Sequence, residues 1–213
     1  MKLYKKTLDN GMTIALVPMT NVSTVTAGFF VKAGGRNETE ETNGIAHFLE
    51  HMMFKGTKTR SSKDVLYQIS MLGLSYNAYT TNEETVYFMS GDPADTKKIL
   101  DLVLDIYINP VLATKDIEVE KKVIIEERRM RYDAPYAKIW RALYKKFFDG
   151  TSLERELIGS EDNILSFDRR NFIDFRKTYY QPSNCIFVVA GNFNHHQISN
   201  LVSMTHYTFV RLI

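Results

Sequence analysis

Gly44-Ile45-Ala46-His47-Phe48-Leu49-Glu50-His51-Met52-Met53-Phe54 decides how the rest of this 213-residue chain is read. The stretch reads as a helix, with Thr42 or Asn43 as its N-cap. His47 and His51 are four apart and stack one turn above the other, with Glu50 and Phe54 on the same side. Ile45, Phe48, Leu49 and Met52 form the roughly opposite face. The helix therefore has an apolar back to bury and a His/Glu front to turn toward a cleft. Two ordinary surface histidines are the bland alternative, but three such groups placed opposite the core disfavour it. Two imidazoles and a carboxylate on one turn can bind a metal and activate its water.

A metal needs more than two side chains, since catalytic zinc takes three protein ligands and a water. The place to look downstream is Ala113 to Arg131. On a helical wheel Ile117, Val119, Val123, Ile124 and Met130 define its apolar stripe, with Glu120 and Glu127 in the middle. These two glutamates are two turns apart and point the same way. A carboxylate aimed at a core is costly unless it is paired or holds a metal. Glu118, Lys122 and Arg129 read as solvated, and Glu126, at the stripe's edge, is a weaker candidate. A buried ion pair with Arg60 or Lys63 is the alternative, more credible for Glu120 than for Glu127. A His, His, Glu set suits zinc better than manganese or cobalt.

His47-Phe48-Leu49-Glu50-His51 is the H-x-x-E-H string of inverted zinc metallopeptidases. Followed at long range by E-x6-E on a helix, it resembles the insulinase, pitrilysin and mitochondrial processing peptidase family. Gly44 to Thr57 looks like that family's active-site helix and the turn after it. Asn77-Ala78-Tyr79-Thr80 followed by Glu84-Thr85-Val86-Tyr87 looks like its substrate-side strand pair. Glu120 to Glu127 looks like its distal ligand helix, and Tyr180-Gln181-Pro182-Ser183-Asn184 with Val188-Val189-Ala190-Gly191-Asn192 like the end of its first domain. The resemblance runs from about Lys2 to Val202. It implies His47, His51 and Glu127 as ligands of one Zn2+ per chain, and Glu50 as the general base for the zinc-bound water. It further implies Glu120 as a supporting carboxylate that orients the site. Asn77, Ala78, Tyr79 and Thr80 are implied as the strand that pairs with an extended peptide. The implied activity is hydrolysis of peptide bonds in unfolded peptides.

Composition fits a globular enzyme domain, with 44% apolar and 24% charged residues. A net charge of +2 with interleaved signs gives nucleic-acid binding little support. Cys185 is the single cysteine, so a disulfide framework is excluded. No apolar stretch approaches membrane length, and no targeting segment is expected ahead of Met1-Lys2-Leu3-Tyr4. Cytoplasm is the default address, with a mitochondrial-type compartment left open. Strands are expected near Tyr4–Leu8, Thr13–Pro18, Thr24–Val31, Leu74–Thr80, Thr85–Ser90 and Cys185–Ala190, with a hairpin turn at Asp9-Asn10-Gly11. Helices are expected at Ser62–Leu72, Pro93–Ile108, Thr114–Arg131, Tyr136–Phe148 and Ser166–Tyr179. The order gives an α+β fold, an antiparallel sheet with helices packed on one face.

Residues 1–202 are expected to form the catalytic domain and 203–213 an atypical tail, with the family's second domain absent. Family members close two such units around the peptide. The chain is therefore expected to need a homo- or hetero-oligomeric partner supplying the opposing half, or to be a fragment. A zinc-containing peptide-binding or regulatory module, inactive without that half, is the alternative function. A metal-dependent hydrolase of small molecules is a third reading, disfavoured by the strand that resembles a peptide-docking edge. His195, His196 and His206 read as surface residues.

Overall fold

The computed structural model describes residues 2–194, 196 and 198. His195, His206 and the tail 203–213 lie outside the described residues, while His196 is exposed as expected. Among the described residues six strands form one sheet: β1 (Tyr4–Thr7), β2 (Thr13–Pro18), β3 (Val25–Val31), β4 (Ser75–Thr80), β5 (Thr85–Gly91) and β6 (Cys185–Gly191). Their spatial order is β1-β2-β6-β3-β5-β4. The expected antiparallel pairing holds for β1/β2, β3/β5, β3/β6 and β4/β5. It does not hold for β2/β6, which is parallel. The reason is topological: β6 inserts between β2 and β3, which run in opposite directions, so it must be parallel to one of them. β4 is an outer edge of the sheet.

Among the described residues the sheet is accompanied by α1 (Ile45–Met52), α2 (Ser62–Met71), α3 (Thr96–Ile108), α4 (Thr114–Asp133), α5 (Pro135–Phe147), α6 (Glu161–Ser166) and α7 (Arg169–Tyr179). The single helix expected over Ser166–Tyr179 is two pieces. Phe167 and Asp168 break the run, and the Asp168 carboxylate caps α7 by accepting from the N–H groups of Arg170 and Asn171. Alternation along the strands places Ile14, Leu16, Ala27, Phe29, Phe187, Val189 and Met89 in the core. Phe29 stacks on Tyr107 of α3 at 3.8 Å and meets Phe187 at 4.6 Å, which welds α3 to the middle of the sheet.

α1 packs against β4 and β5 on one side and against α4 and α7 on the other. Phe48, fully buried, meets Phe172 at 4.9 Å and Phe167 at 6.2 Å. The apolar back read from the sequence is therefore real, but the cap is different. Gly44, not Thr42 or Asn43, is the N-cap, with φ of 97°. A Cβ there would lie 2.7 Å from the Ile158 carbonyl oxygen, so both conformation and space call for glycine. The first N–H groups of the helix are met from outside it. Buried Glu38 accepts from Gly44 N at 2.9 Å, Ala46 N at 2.8 Å and Asn43 Nδ2 at 3.0 Å. A carboxylate at a helix N-terminus also opposes the helix dipole.

α4 corrects a second expectation. Its buried residues are Ile117, Glu120, Lys121, Ile124 and Ile125. Val119, Val123 and Met130 are exposed. The stripe follows the i, i+3/i+4, i+7 spacing through Ile117, Glu120/Lys121 and Ile124, and Val119, Val123 and Met130 lie on the far face, roughly 130–170° around the helix from its centre. Glu120 stays inside either version of the stripe.

Candidate metal centre

Two helices, α1 and α4, meet at the site. His47 and His51 project from α1, and Glu127 reaches across from α4. One ligand-type atom from each of these three residues lies within 4.8 Å of the others. His47 Nε2 is 3.6 Å from Glu127 Oε1, and His51 Nε2 is 3.5 Å from Glu127 Oε2. Tetrahedral zinc with bonds of about 2.0–2.1 Å sets its ligand atoms roughly 3.3–3.4 Å apart; the two histidine–Glu127 contacts approach that spacing, while the full set, at up to 4.8 Å, is wider than a bound ion would hold it. The fit extends to protonation. Burial depresses the His47 imidazole to a pKa of about 3, helped by the neighbouring charges of His51 and Arg131. It is thus a neutral nitrogen at ordinary pH, the form that can ligate.

His51 is fixed through its other nitrogen. Its Nδ1 lies 2.9 Å from Glu120 Oε1, which assigns the proton to Nδ1 and leaves the Nε2 lone pair facing Glu127. The far oxygen of Glu120 is held by the Lys55 ammonium at 2.5 Å. Burial pulls the His51 pKa down, but the hydrogen bond and charge of Glu120, with Glu50 and Glu127, outweigh it and raise the value overall. On Glu120 burial acts upward, and the His51 and Lys55 contacts win, holding its carboxyl below the usual range.

The alternatives weighed for α4 now resolve by geometry. Arg60 pairs with Asp101 and Asp105, each at 2.5 Å, and not with Glu120 or Glu127. Glu126 is exposed and bonds Arg129, so it is no part of the cluster. Glu127 Oε1 also accepts from Arg131 Nη2 at 2.6 Å.

Glu50 lies on the same face as the two histidines and feels the charges of His51, Glu127 and Arg131. Burial raises its pKa above the ordinary carboxylate value, against the lowering effect of a hydrogen bond from Thr80. That bond, Thr80 Oγ1 to Glu50 Oε2, is 2.6 Å long. A half-buried carboxylate beside a metal-type triad, with its proton affinity raised, is suited to taking a proton from water.

β4 brings Asn77, Ala78, Tyr79 and Thr80 alongside α1. The turn bond from Thr81 N to Glu84 O, 2.8 Å, makes Thr81 and Glu84 a hydrogen-bonded pair. Alternation then spends the backbone groups of Asn77 and Tyr79 on β5 and turns those of Ala78 and Thr80 to the free edge. Asn77 Oδ1 accepts from Ala78 N at 2.9 Å, covering one edge donor. Tyr79 is partly exposed on the face opposite Thr80.

Sequence reading missed Glu38, Lys55 and Arg131. Arg131 stands four residues past Glu127 on the same helix, the spacing at which helical side chains meet, and this was the available signal; Lys55 lies beyond α1 and meets Glu120 only through the packing of the two segments. Glu38 lies outside any helix, and no spacing rule reaches it.

A buried helix carrying a neutral histidine, a carboxylate-oriented histidine and an opposed glutamate, with a second glutamate beside them, has the donor set expected of an inverted-motif metallohydrolase. Comparison with known proteins agrees. The sequence pattern of insulinase (peptidase family M16) matches residues 13–161, and this chain belongs to that family. The pattern described as the peptidase M16 inactive domain matches residues 166–207. The chain is 34% identical over 194 residues to mitochondrial-processing peptidase subunit beta of Rattus norvegicus, covering 91% of this chain and 40% of that protein. It is 35% identical over 191 residues to an uncharacterized zinc protease of Rickettsia bellii, covering 90% and 46%. The crystal structure of a protease from Helicobacter pylori superimposes with a TM-score of 0.91 at 29% identity, over 99% of this chain and 50% of that one. The chain thus spans less than half the length of these curated relatives.

Proposed function

We propose that this chain is the catalytic unit of a zinc-dependent endopeptidase acting on unfolded or extended peptides, with residues 1–202 as the catalytic domain. The observation that carries this is the His47, His51, Glu127 triad with Glu50 beside it. Zinc held there would supply a Lewis acid that polarises a carbonyl and acidifies a water. The protein's own part is as follows. Glu120, braced by Lys55, keeps the His51 proton on Nδ1. Glu50 takes the water's proton and returns it to the leaving amine. Backbone groups of Ala78 and Thr80 pair with the peptide as an added strand, and Asn77 Oδ1 releases Ala78 N as the peptide arrives. Main-chain pairing of this kind favours extended substrates and loose side-chain preference.

The opposing half belongs on the open side of this site. Tyr136, Ile139, Leu143 and Phe147 of α5 are exposed, an amphipathic face with nothing over it among the described residues. A partner subunit or second unit covering that face would exclude water from the cleft. The alternative reading is a zinc-containing peptide-binding or regulatory unit, inactive without that half. Among the described residues no helix is long and apolar enough to cross a membrane. We propose a cytoplasmic setting, and the likeness to mitochondrial-processing peptidase subunits is compatible with a mitochondrial-type compartment.

The test is hydrolysis of an unstructured fluorogenic peptide by the zinc-loaded chain, with Glu50→Gln as control. Cleavage lost in the control supports an endopeptidase. Peptide affinity without turnover, zinc being bound, favours the binding unit.

A further inference from the structure

We propose that Thr80 is the positioning residue for Glu50, and that a peptide docked on β4 locks this contact; the proposal rests on the site reading above and adds a coupling between docking and the base. The Thr80 hydroxyl donates to Glu50 Oε2 at 2.6 Å. Among the described residues, no other side chain donates a hydrogen bond to Glu50. A glutamate has several rotatable bonds, and a single donor selects one arrangement of them. The donor is a β-branched residue in a strand, so its own χ1 is restricted and the hydroxyl is well aimed.

Thr80 serves two directions at once. Its side chain faces α1, as that of Tyr76 does in meeting Phe54 at 5.4 Å. Its backbone faces the free edge, because the Thr81–Glu84 pair sets the alternation. Thr80 is also the last residue of the strand, just before the turn. A peptide strand pairing with its backbone therefore fixes the same residue that aims the base. Docking and proton abstraction are linked through one residue, its backbone holding the peptide and its hydroxyl the base, so the loss of the hydroxyl, which leaves the docking backbone in place, should fall on kcat and not on KM.

The experiment compares Thr80→Val, nearly isosteric but without the hydroxyl, with Thr80→Ser, which keeps it. Both are made in the full chain, loaded with zinc and assayed on the unstructured fluorogenic peptide, with crystal structures of each. Thr80→Val should lower kcat roughly 10- to 100-fold, the worth of one hydrogen bond to a charged group, with KM within about twofold and zinc content unchanged. Thr80→Ser should recover most of the loss. In the crystals Glu50 should leave its place in the valine variant and keep it in the serine variant. Wild-type kcat in Thr80→Val, a loss confined to KM, or a serine variant no better than valine would overturn the proposal. A wild-type chain that turns over no peptide would count against the peptidase reading instead. The position of Glu50 in the two crystals then decides this proposal alone: a carboxylate unmoved in Thr80→Val overturns it, and one displaced there but not in Thr80→Ser upholds it.

Discussion

Replacing Glu120 by glutamine isolates what a buried carboxylate does for a metal it does not touch. In the native protein Glu120 Oε1 lies 2.9 Å from His51 Nδ1 and its other oxygen meets Lys55 at 2.5 Å. The amide keeps the shape and can still accept from Nδ1, but it removes the negative charge that makes the imidazole a stronger donor to metal. Lys55 loses its ion-pair partner, at modest cost because its ammonium is one-third exposed and can turn to water. Changes to such supporting contacts weaken metal binding by about 10- to 100-fold, or about 1.4–2.8 kcal/mol. The assay is competition for zinc against a chromophoric chelator at pH 8 and pH 6. The pH sign follows from His51. Glu120 raises its pKa, so the native protein meets more proton competition at Nε2 on acidification than the variant does. The affinity gap should be widest at pH 8 and narrow at pH 6. Equal zinc affinity at pH 8 would refute the role given to Glu120.

Glu50→Gln should keep its zinc and lose about 10²–10⁴ in turnover, read by metal analysis and steady-state kinetics on one preparation; wild-type turnover would remove Glu50 as base. Glu127→Gln should lose much of the bound zinc on dialysis, and unchanged content would contradict its place as third ligand. In the metal-free protein the His47 pKa, about 3, lies below the 6.5 of an ordinary histidine. The unfolded chain then takes up a proton that the folded one refuses, so stability present above pH 6.5 is lost as pH falls toward 3, by up to about 1.4 kcal/mol per pH unit. Urea melts of chelated protein between pH 6.5 and pH 4.5 should show a steeper decline than those of His47→Asn. Gly44→Ala should destabilise by roughly 1–3 kcal/mol, because φ of 97° and the Ile158 oxygen both oppose a Cβ; an unchanged melting temperature would show that the turn relaxes freely.

The shared face of His47, Glu50 and His51 was legible because local spacing decides it: positions 47, 50 and 51 lie together whatever surrounds them. Glu127 was legible through its separation from Glu120 on one helix and through the family likeness. The choice among Glu120, Glu126 and Glu127 needed the packing of α4 on α1. Val119, Val123 and Met130 misled the wheel, since they cluster on one face as a buried stripe would, yet that face is exposed and the opposite one packs inward. The Gly44 cap was hidden because its cause lies in the approach of Ile158 and Gly159 and in the carboxylate of Glu38, both contacts made by folding. The parallel β2/β6 pair was hidden likewise, since strand order is a property of the whole chain. Thr80 was read as part of a peptide edge. Its bond to Glu50 depends on which way the strand faces α1, and the strand's burial alternation is too weak to announce that.

The most direct test is a crystal structure of the zinc-soaked chain with data collected at the zinc absorption edge. The account predicts one anomalous peak, bonded to His47 Nε2, His51 Nε2 and a Glu127 oxygen, with Glu120 still on His51 Nδ1. A peak held by other residues, or none at saturating zinc with the fold intact, would contradict it.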